Sequence, residues 1–377
     1  GDDSSRSDDD GGGGGGDPSS SNGATDGDGR DETNDDGPEV GPAPETAPPT
    51  SSPTPSPTYG PESYARRDEM RVALLRGDDP YDLNGAFDDP TSPESLALDW
   101  LGLDDAYGYD WRDENGRALL QRFVMTTFFY SAGGGGAGAK EEVEGKGRER
   151  WIDRAGFLDV TSDVCEWNDR ERLGVWCNDI QGVVSHVWLP NNGLSGQIPP
   201  VFFYMKGIAV LDLSQNDLSG TLPDHTGRSF PNLRDLDLSN NRFGGRIPST
   251  LADLESIICR FNLQSNEFEG TIPGVLGLGG YRVDLSDNRL TGSVPEGYAD
   301  AQHEFEYMGF HRNDLSDDLA ASSFCDGYIE DWLTYVTADC SGDPPEVFCT
   351  CCQECWADDW TVEKQVIWKH PERGGCF

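Results

Sequence analysis

The segment VWLPNNGLSGQIP, residues 187–199, returns along the chain in closely related form. Later copies are LDLSQNDLSGTLP (211–223), LDLSNNRFGGRIP (236–248), FNLQSNEFEGTIP (261–273) and VDLSDNRLTGSVP (283–295), with a degenerate sixth, MGFHRNDLSDDL (308–319). Each copy carries an asparagine at the same place: Asn192, Asn216, Asn241, Asn266, Asn288 and Asn313. Their spacings of 24, 25, 25, 22 and 25 residues indicate one structural unit repeated in register.

Each residue position that recurs between the repeats has an expected structural role. Alternating apolar residues such as Leu211 and Leu213 would point one face of a short strand inward. The asparagine is expected to hydrogen-bond the backbone where the chain leaves the strand, and Gly220 permits the turn that follows. One unit cannot bury its own apolar face, so stability must come from stacking against neighbours. The predicted fold is an α/β solenoid with a short parallel sheet along one side.

The L-S-G-x-I-P ending resembles the plant-specific class of leucine-rich repeat, familiar from receptor-kinase ectodomains and polygalacturonase-inhibiting proteins. Four flanking segments are similar to a large group of algal extracellular leucine-rich-repeat proteins: SPESLALDWL, LLQRFVMTTFFYSAGG, VCEWNDRERLGVWC and ADCSGDPPEVFCTCCQEC. The resemblance covers about residues 92–355 and implies a right-handed superhelix with a helical N-terminal cap and a cysteine-rich C-terminal cap. The glycine-rich insert at 133–150 departs from the family pattern.

Composition divides the chain into four predicted regions. Residues 1–62 are acidic and rich in Gly, Pro, Ser and Thr, which predicts a disordered stalk suited to O-linked sugars. Residues 63–183 are predicted to form the helical cap, with one helix capped by Ser92 and a stronger one over 118–131. The repeats occupy 184–321 and the cysteine-rich cap and tail occupy 322–377. Four aromatic residues are expected to shield the first repeat: Trp151, Phe157, Trp167 and Trp176.

All ten cysteines lie at or beyond Cys165. The family resemblance implies a disulfide between Cys165 and Cys177 in the N-terminal cap. Six more cysteines are expected in disulfides whose pairing the sequence does not specify: Cys325, Cys340, Cys349, Cys351, Cys352 and Cys355. Zinc binding by the last four is the alternative, but their spacing is too crowded for a regular four-cysteine site. Cys259 is interpreted as a buried free thiol, and no metal or cofactor is expected.

The formal charge of 28 − 69 = −41 excludes most nucleic-acid partners, because phosphate binding needs dense Lys and Arg. No apolar run approaches the roughly 20 residues of a membrane span. The cysteines and the stalk favour an extracellular protein, either secreted or held at the cell surface by a membrane anchor upstream of Gly1. No Asn-x-Ser/Thr sequon occurs, so any glycosylation is expected to be O-linked.

No catalytic arrangement is recognisable: the five histidines fall in no metal or nucleophile motif, so enzyme activity is not expected. Side chains between the core leucines should instead form a concave binding face. Its candidate ligand-binding residues are His186, Trp188, Asp235, Asp237, Arg260, Asn262, Arg282, Asp284 and Tyr307. The aspartates belong to the common L-D-L-S pattern, whereas Trp188, Arg260, Arg282 and Tyr307 depart from it and are the stronger candidates.

The function predicted from these observations is an extracellular recognition module for a protein or glycan, either receptor-like or adhesive. Two alternatives stay open. A secreted inhibitor of a cell-wall hydrolase would trap an enzyme at the concave face. A structural wall protein would use its acidic surface to bridge Ca²⁺ or polysaccharide.

Overall fold

A computed structural model of the chain describes residues 59–75, 83–107, 116–134, 151–254, 259–274, 276, 282–295, 297–300, 307–318, 336–339, 347–348, 352 and 354–355. Most of the predicted stalk, the glycine-rich insert beyond residue 134, and Cys325, Cys340, Cys349 and Cys351 lie outside these residues.

Helices are concentrated in the N-terminal part of the described chain. The α-helices are α1 (Pro61–Leu74), α2 (Leu83–Ala86), α3 (Pro93–Asp99), α4 (Arg117–Ser131), α5 (Thr226–Ser229) and α6 (Gly297–Asp300). The two helix predictions are confirmed: the Oγ of Ser92 accepts a hydrogen bond from the Ser95 N–H at 3.0 Å, and α4 covers the predicted strong helix. Helix α1 begins at Pro61, inside the segment that the sequence assigns to the stalk.

Two main sheets run along the repeats. The nine-stranded sheet contains, in spatial order, β1 (Gly174–Asn178), β2 (Val183–Trp188), β4 (Val210–Asp212), β6 (Asp235–Asp237), β8 (Arg260–Asn262), β10 (Arg282–Asp284), β12 (Tyr307–Gly309), β15 (Val336–Ala338) and β17 (Glu354–Cys355). The six-stranded sheet contains β13 (Asp314–Leu315), β11 (Arg289–Gly292), β9 (Glu267–Gly270), β7 (Arg242–Arg246), β5 (Asp217–Thr221) and β3 (Ser195–Gln197). A separate pair joins β14 (Asp317–Asp318) to β16 (Val347–Phe348).

All pairings in the sheets are parallel except the β1–β2 hairpin, so successive repeats stack in the same direction. The alternating apolar residues form a continuous buried row: Val187, Leu211, Leu236, Phe261, Val283 and Met308. The predicted solenoid of short parallel strands is therefore confirmed, and its core runs the length of the array.

The repeated asparagines form the predicted ladder. In the third copy, Nδ2 of Asn241 donates to the carbonyl oxygens of Leu213 at 2.9 Å and Leu238 at 3.1 Å, while its Oδ1 accepts from the Leu218 N–H at 3.0 Å. Asn266 repeats this arrangement one unit further on. Each amide thus ties its own turn to the turn of the preceding repeat, replacing backbone hydrogen bonds that the turn cannot make.

The N-terminal cap has an aromatic core. Trp151, Phe157 and Trp167 are buried, as predicted, and the rings of Trp151 and Phe157 meet at 4.9 Å between centroids. Helix α4 joins this cluster to the first repeat, because the ring of Phe128 packs 5.2 Å from that of Phe202. The cap therefore covers the apolar end of the stack, where no further repeat is available.

A buried ion pair lies inside this aromatic core. The guanidinium of Arg122 binds both carboxylate oxygens of Asp105, at 2.6 and 2.8 Å, and also donates to the Asp159 and Ser162 carbonyl oxygens. Its central carbon lies 4.8 Å from the centre of the Trp167 ring. Both charged side chains are almost completely inaccessible to solvent, with exposures of 2% and 0%. One arginine thus links three separate segments of the cap.

The Cys165–Cys177 disulfide implied by the family resemblance is present. Two other described cysteines are also disulfide-bonded, Cys259 and Cys352. The interpretation of Cys259 as a free thiol is therefore wrong. An apolar repeat context does not distinguish a packed thiol from half of a disulfide, because both are small and apolar.

Removing the cap disulfide through the C165A/C177A double variant is expected to lower the free energy of unfolding by about 3 kcal/mol. The physical reason is the loop of 12 residues that the bond closes, which restricts the unfolded chain. Urea denaturation of both proteins measures the difference. Unfolding midpoints that coincide would contradict a stabilising role for this bond.

Candidate binding face

One face of the nine-stranded sheet points away from the buried row, and we call it the open face. Strand register places two rows of side chains on it. The first row is His186, Val210, Asp235, Arg260, Arg282 and Tyr307. The second row is Trp188, Asp212, Asp237, Asn262, Asp284 and Gly309. All nine candidate residues from the sequence therefore share one face, although their part in binding stays a prediction.

The centre of the open face is an ion-pair network around Arg260. Its guanidinium contacts Asp235 at 2.7 Å, Asp237 at 2.8 Å and Asp212 at 2.9 Å. The three carboxylate side chains are 5–8% exposed and the arginine is 25% exposed. Arg260, selected from the sequence as a binding residue, is thus engaged within the protein and holds three neighbouring strands together.

The second-row aspartates also have a local structural role. Oδ1 of Asp237 accepts hydrogen bonds from the N–H of Ser239 at 3.0 Å and from its hydroxyl at 2.6 Å. Asp284 makes the same pair of bonds to Ser286. These contacts explain the recurrence of the Asp-x-Ser pattern and agree with its interpretation as a generic feature of the repeat.

Burial determines how these acids titrate. Desolvation raises the pKa of Asp237 to about 6 against the opposing attraction of Arg260, and it raises the pKa of Asp235 in the same direction. Desolvation also raises the pKa of Asp284 to about 6. For Arg260, burial disfavours the cation, but the three carboxylates outweigh burial and raise its pKa. The cationic partner is therefore permanently charged.

Beyond this network, the open face carries a stacked arginine. The central guanidinium carbon of Arg282 lies 4.7 Å from the centre of the Tyr307 ring, within the range of a cation–π contact. Gly309 makes room for that ring, because a Cβ there would lie 2.8 Å from the tyrosine hydroxyl. Both side chains are half-buried, and burial lowers the pKa of Arg282 to about 10. This guanidinium remains charged at neutral pH, although its Nε is buried.

The other end of the open face is aromatic. Trp188 and His186 are half-buried on β2, and Trp176 of β1 pairs directly opposite His186. Opposed residues of an antiparallel pair share a sheet face, so Trp176 lies on the open face and not in the cap core. The prediction that it shields the first repeat is wrong, because the core position on β1 is taken by Val175, which is fully buried. Desolvation lowers the pKa of His186.

Metal-binding side chains come together once among the described residues, at Asp163, Cys165 and Cys177. Because the two cysteines are joined in a disulfide, they offer no thiolate to a metal ion. The described helices include none that is long and apolar enough to span a lipid bilayer.

Residues 183–243 match the family profile described as "Leucine rich repeat". The repeats are leucine-rich repeats. Strands β2 to β6 fall within the matched residues, β7 begins at their end, and β8 to β12 continue the same registered stack beyond them. Among curated protein sequences, none matches this leucine-rich-repeat chain.

Solved structures similar to this leucine-rich-repeat chain include ectodomains of plant receptor kinases. One is the PEPR1–AtPEP1 complex, with 26% identity over 46% of this chain and 24% of that chain, and a TM-score of 0.38. The ectodomain of the receptor kinase SOBIR1 from Arabidopsis thaliana has 26% identity over 43% of this chain and 85% of its own, with a TM-score of 0.32. A plant ice-binding protein has 25% identity over 49% of this chain and 66% of its own, with a TM-score of 0.35.

The D284N variant is expected to stabilise the leucine-rich-repeat array at pH 7.5 by about 2 kcal/mol. The folded-state pKa of Asp284 is raised from 3.8 to about 6, so its ionisation opposes folding above that range. This penalty disappears as the pH falls through 6 towards 3.8, where the variant and the wild type should become equally stable. Asn262 already occupies the same row, and its Oδ1 accepts the matching bond from the Gln264 N–H.

Urea denaturation of both proteins at pH 7.5 and pH 4.5 measures this difference. Comparing variant with wild type removes the opposite contribution of His311, whose pKa burial lowers to about 4. D253N, at an exposed aspartate, is the control and should leave the pH dependence unchanged. If D284N changed the free energy of unfolding by the same amount at both pH values, Asp284 would not be the titrating group.

Proposed function

We propose that the chain is an extracellular recognition module that binds a protein partner through the open face of its leucine-rich repeats. The observation that carries this proposal is the division of the open face into two half-buried ends and a centre in which three buried carboxylates are paired with Arg260. Aromatic and arginine side chains, which contribute strongly to protein interfaces, occupy the ends. The acidic centre supplies a rigid base between them.

The separation of the two ends sets the length of the contact. From β2 to β10 there are four strand steps along the sheet, which at about 4.8 Å each amount to roughly 19 Å. An extended peptide covers that distance with about six residues. A partner that touches both Trp188 and Arg282 must therefore cross the strands, over the Arg260 network.

Charge gives the two ends different chemistry. Arg282 at the far end favours a carboxylate or a carbonyl-rich loop of the partner, because its guanidinium remains charged. The Trp176, His186 and Trp188 end favours an apolar or aromatic side chain. Calcium bridging through this face has less support, because the Asp212, Asp235 and Asp237 carboxylates already contact Arg260.

Oxidised cysteines support the extracellular part of the proposal. Cys165, Cys177, Cys259 and Cys352 are all disulfide-bonded. Stable disulfides form and persist in oxidising environments such as the extracellular space. Cysteine labelling of protein isolated from intact cells, under conditions that block exchange, tests this. Fully labelled thiols in the native protein would contradict an extracellular location.

The binding proposal is tested with the W188A and R282A variants. Extracellular proteins of the source organism are captured on immobilised wild-type and variant protein, and dissociation constants are then measured with each purified partner. Each variant should weaken the specific interaction about tenfold or more. R289A is the matched control, because Arg289 lies on the six-stranded sheet in an exposed pair with Glu267.

Unchanged affinity in both open-face variants, with folded protein verified by circular dichroism, would move the site away from this face. Capture of purified cell-wall glycans with the same loss in W188A and R282A would retain the site but change the class of partner. Inhibition of a captured hydrolase, lost in the same variants, would favour the inhibitor alternative.

A further inference from the structure

A cleft of about 480 Å³ lies between successive repeats, where the chain around α5 faces the segments that follow β7 and β9. None of its lining residues belongs to the nine-stranded sheet, so it is separate from the open face. Its volume lies in the range of pockets that hold small molecules. The open-face proposal gives this cleft no role.

The charges around the cleft are unusual for so acidic a chain. Among the described residues, its lining includes Arg228, Arg246 and His225 but only one carboxylate, that of Asp224. Both arginine side chains are exposed, and in the described part of the chain neither one forms a salt bridge. Other repeat arginines do pair with carboxylates: Arg242 with Asp217, Arg260 with three aspartates, Arg289 with Glu267 and Arg312 with Asp287. Two guanidinium groups are thus available to bind a ligand in the cleft.

Backbone contacts fix the walls of the cleft. Gly227 packs directly against the carbonyl of Thr250, leaving no space for a side chain, and its N–H donates to the Thr250 hydroxyl at 3.1 Å. That hydroxyl in turn donates to the carbonyl of Asp224 at 2.7 Å. The Arg246 side chain lies along Gly270, where an added Cβ would meet its Cγ at 3.2 Å. The cleft is therefore formed before any ligand arrives.

We propose that this cleft binds the oxyanion group of a small ligand, in the form of a phosphate, a sulfate or a carboxylate. Arg228 and Arg246 supply the charged donors, and planar guanidinium groups suit the paired oxygens of such anions. Ser249 and Thr271 line the same space and carry hydroxyl groups that can act as neutral donors. Ile247 and Pro273 provide an apolar wall for the uncharged part of the ligand.

Isothermal titration calorimetry on the full chain tests the proposal with inorganic phosphate, sulfate and glucuronate as probes, and glucose as the uncharged counterpart of glucuronate. We expect saturable binding of at least one anion and none of glucose. In R228Q/R246Q the affinity should fall about tenfold or more. The matched control is R170Q/R172Q, which removes the same charge from an exposed loop of the cap and should change the affinity less than twofold.

The probes also identify the source of the anion. Glucuronate binding more tightly than the inorganic ions indicates an acidic sugar, and the reverse indicates a phosphate or sulfate ester. R246K keeps the positive charge without the planar fork, so an intermediate loss of affinity supports direct contact. Absence of saturable binding for all three anions, or an equal loss in both double variants, overturns the proposal. The W188A variant should bind these probes normally, so failure here is distinguishable from failure at the open face.

Discussion

The R122M variant is expected to lose about 3–5 kcal/mol of unfolding free energy, because it leaves the carboxylate of Asp105 buried without its partner. Asp105 is fully inaccessible and receives two bonds from the guanidinium of Arg122. The carbonyl oxygens of Asp159 and Ser162 would lose their donors at the same time. Chemical denaturation followed by tryptophan fluorescence measures the loss, since Trp167 lies against the same guanidinium.

R117M provides the control on the same helix, because Arg117 is exposed and makes one long contact of 3.4 Å with the Gln181 carbonyl. It should change stability by less than about 0.5 kcal/mol. The R122M/D105L double variant should recover a large part of the loss, since an apolar pair avoids the buried lone charge. A loss in R122M below about 1 kcal/mol would show that water reaches Asp105 in solution.

The N241A variant is expected to lose about 3–4 kcal/mol, the second largest effect. Its side chain joins two repeats, and alanine would leave the Leu218 N–H buried without this bond. The Leu213 carbonyl would lose the bond from Asn241 and keep the one from Nδ2 of Asn216 at 2.9 Å. Each stranded buried group costs about 1–3 kcal/mol. Loss of packing around the ladder adds to this, because neighbouring repeats stabilise each other. Urea denaturation followed by circular dichroism gives the difference.

N232A is the matched control for the ladder. Asn232 is exposed and donates one bond of 3.2 Å to the Lys206 carbonyl, which can exchange it for water. Its loss should stay below about 0.5 kcal/mol. If N241A and N232A had similar free energies of unfolding, the ladder asparagines would contribute only to the conformation of the turn and not to the connection between repeats.

Much of the array follows from the repeat itself. Once the asparagines are aligned, the strand positions follow, which is why the nine candidate residues named from the sequence lie on one face of the sheet. A register error of one residue would have exchanged the core and open faces. The periodicity thus predicts which side chains share a face, but not which of them contact each other.

The contacts between these side chains depend on distances that the repeat length does not specify. Arg260 is one arginine in a row, and only the structure shows that it reaches three carboxylates on two preceding strands. Because β1 runs antiparallel to the repeats, the repeat pattern gives no register for Trp176 and does not predict its place on the open face. Arg122 lies within an otherwise apolar helix face, and its partner Asp105 is 17 residues away with no spacing rule to link them. The cleft between α5 and the strand ends belongs to the irregular part of the units, where their sequences differ.

The antiparallel hairpin at the start of the nine-stranded sheet has a consequence for how molecules of this protein meet each other. A stack of identical parallel strands presents at its end the same hydrogen-bonding edge that its own next repeat would use, and so invites end-to-end polymerisation. Strand β1 reverses direction at that end, and its pairing with β2 shifts register between Trp176 and Cys177. A second molecule approaching in the sense of the repeats therefore meets an edge with the wrong polarity and an irregular pattern of donors and acceptors. Local chain reversal at β1 is therefore expected to disfavour end-to-end growth of these molecules into fibres.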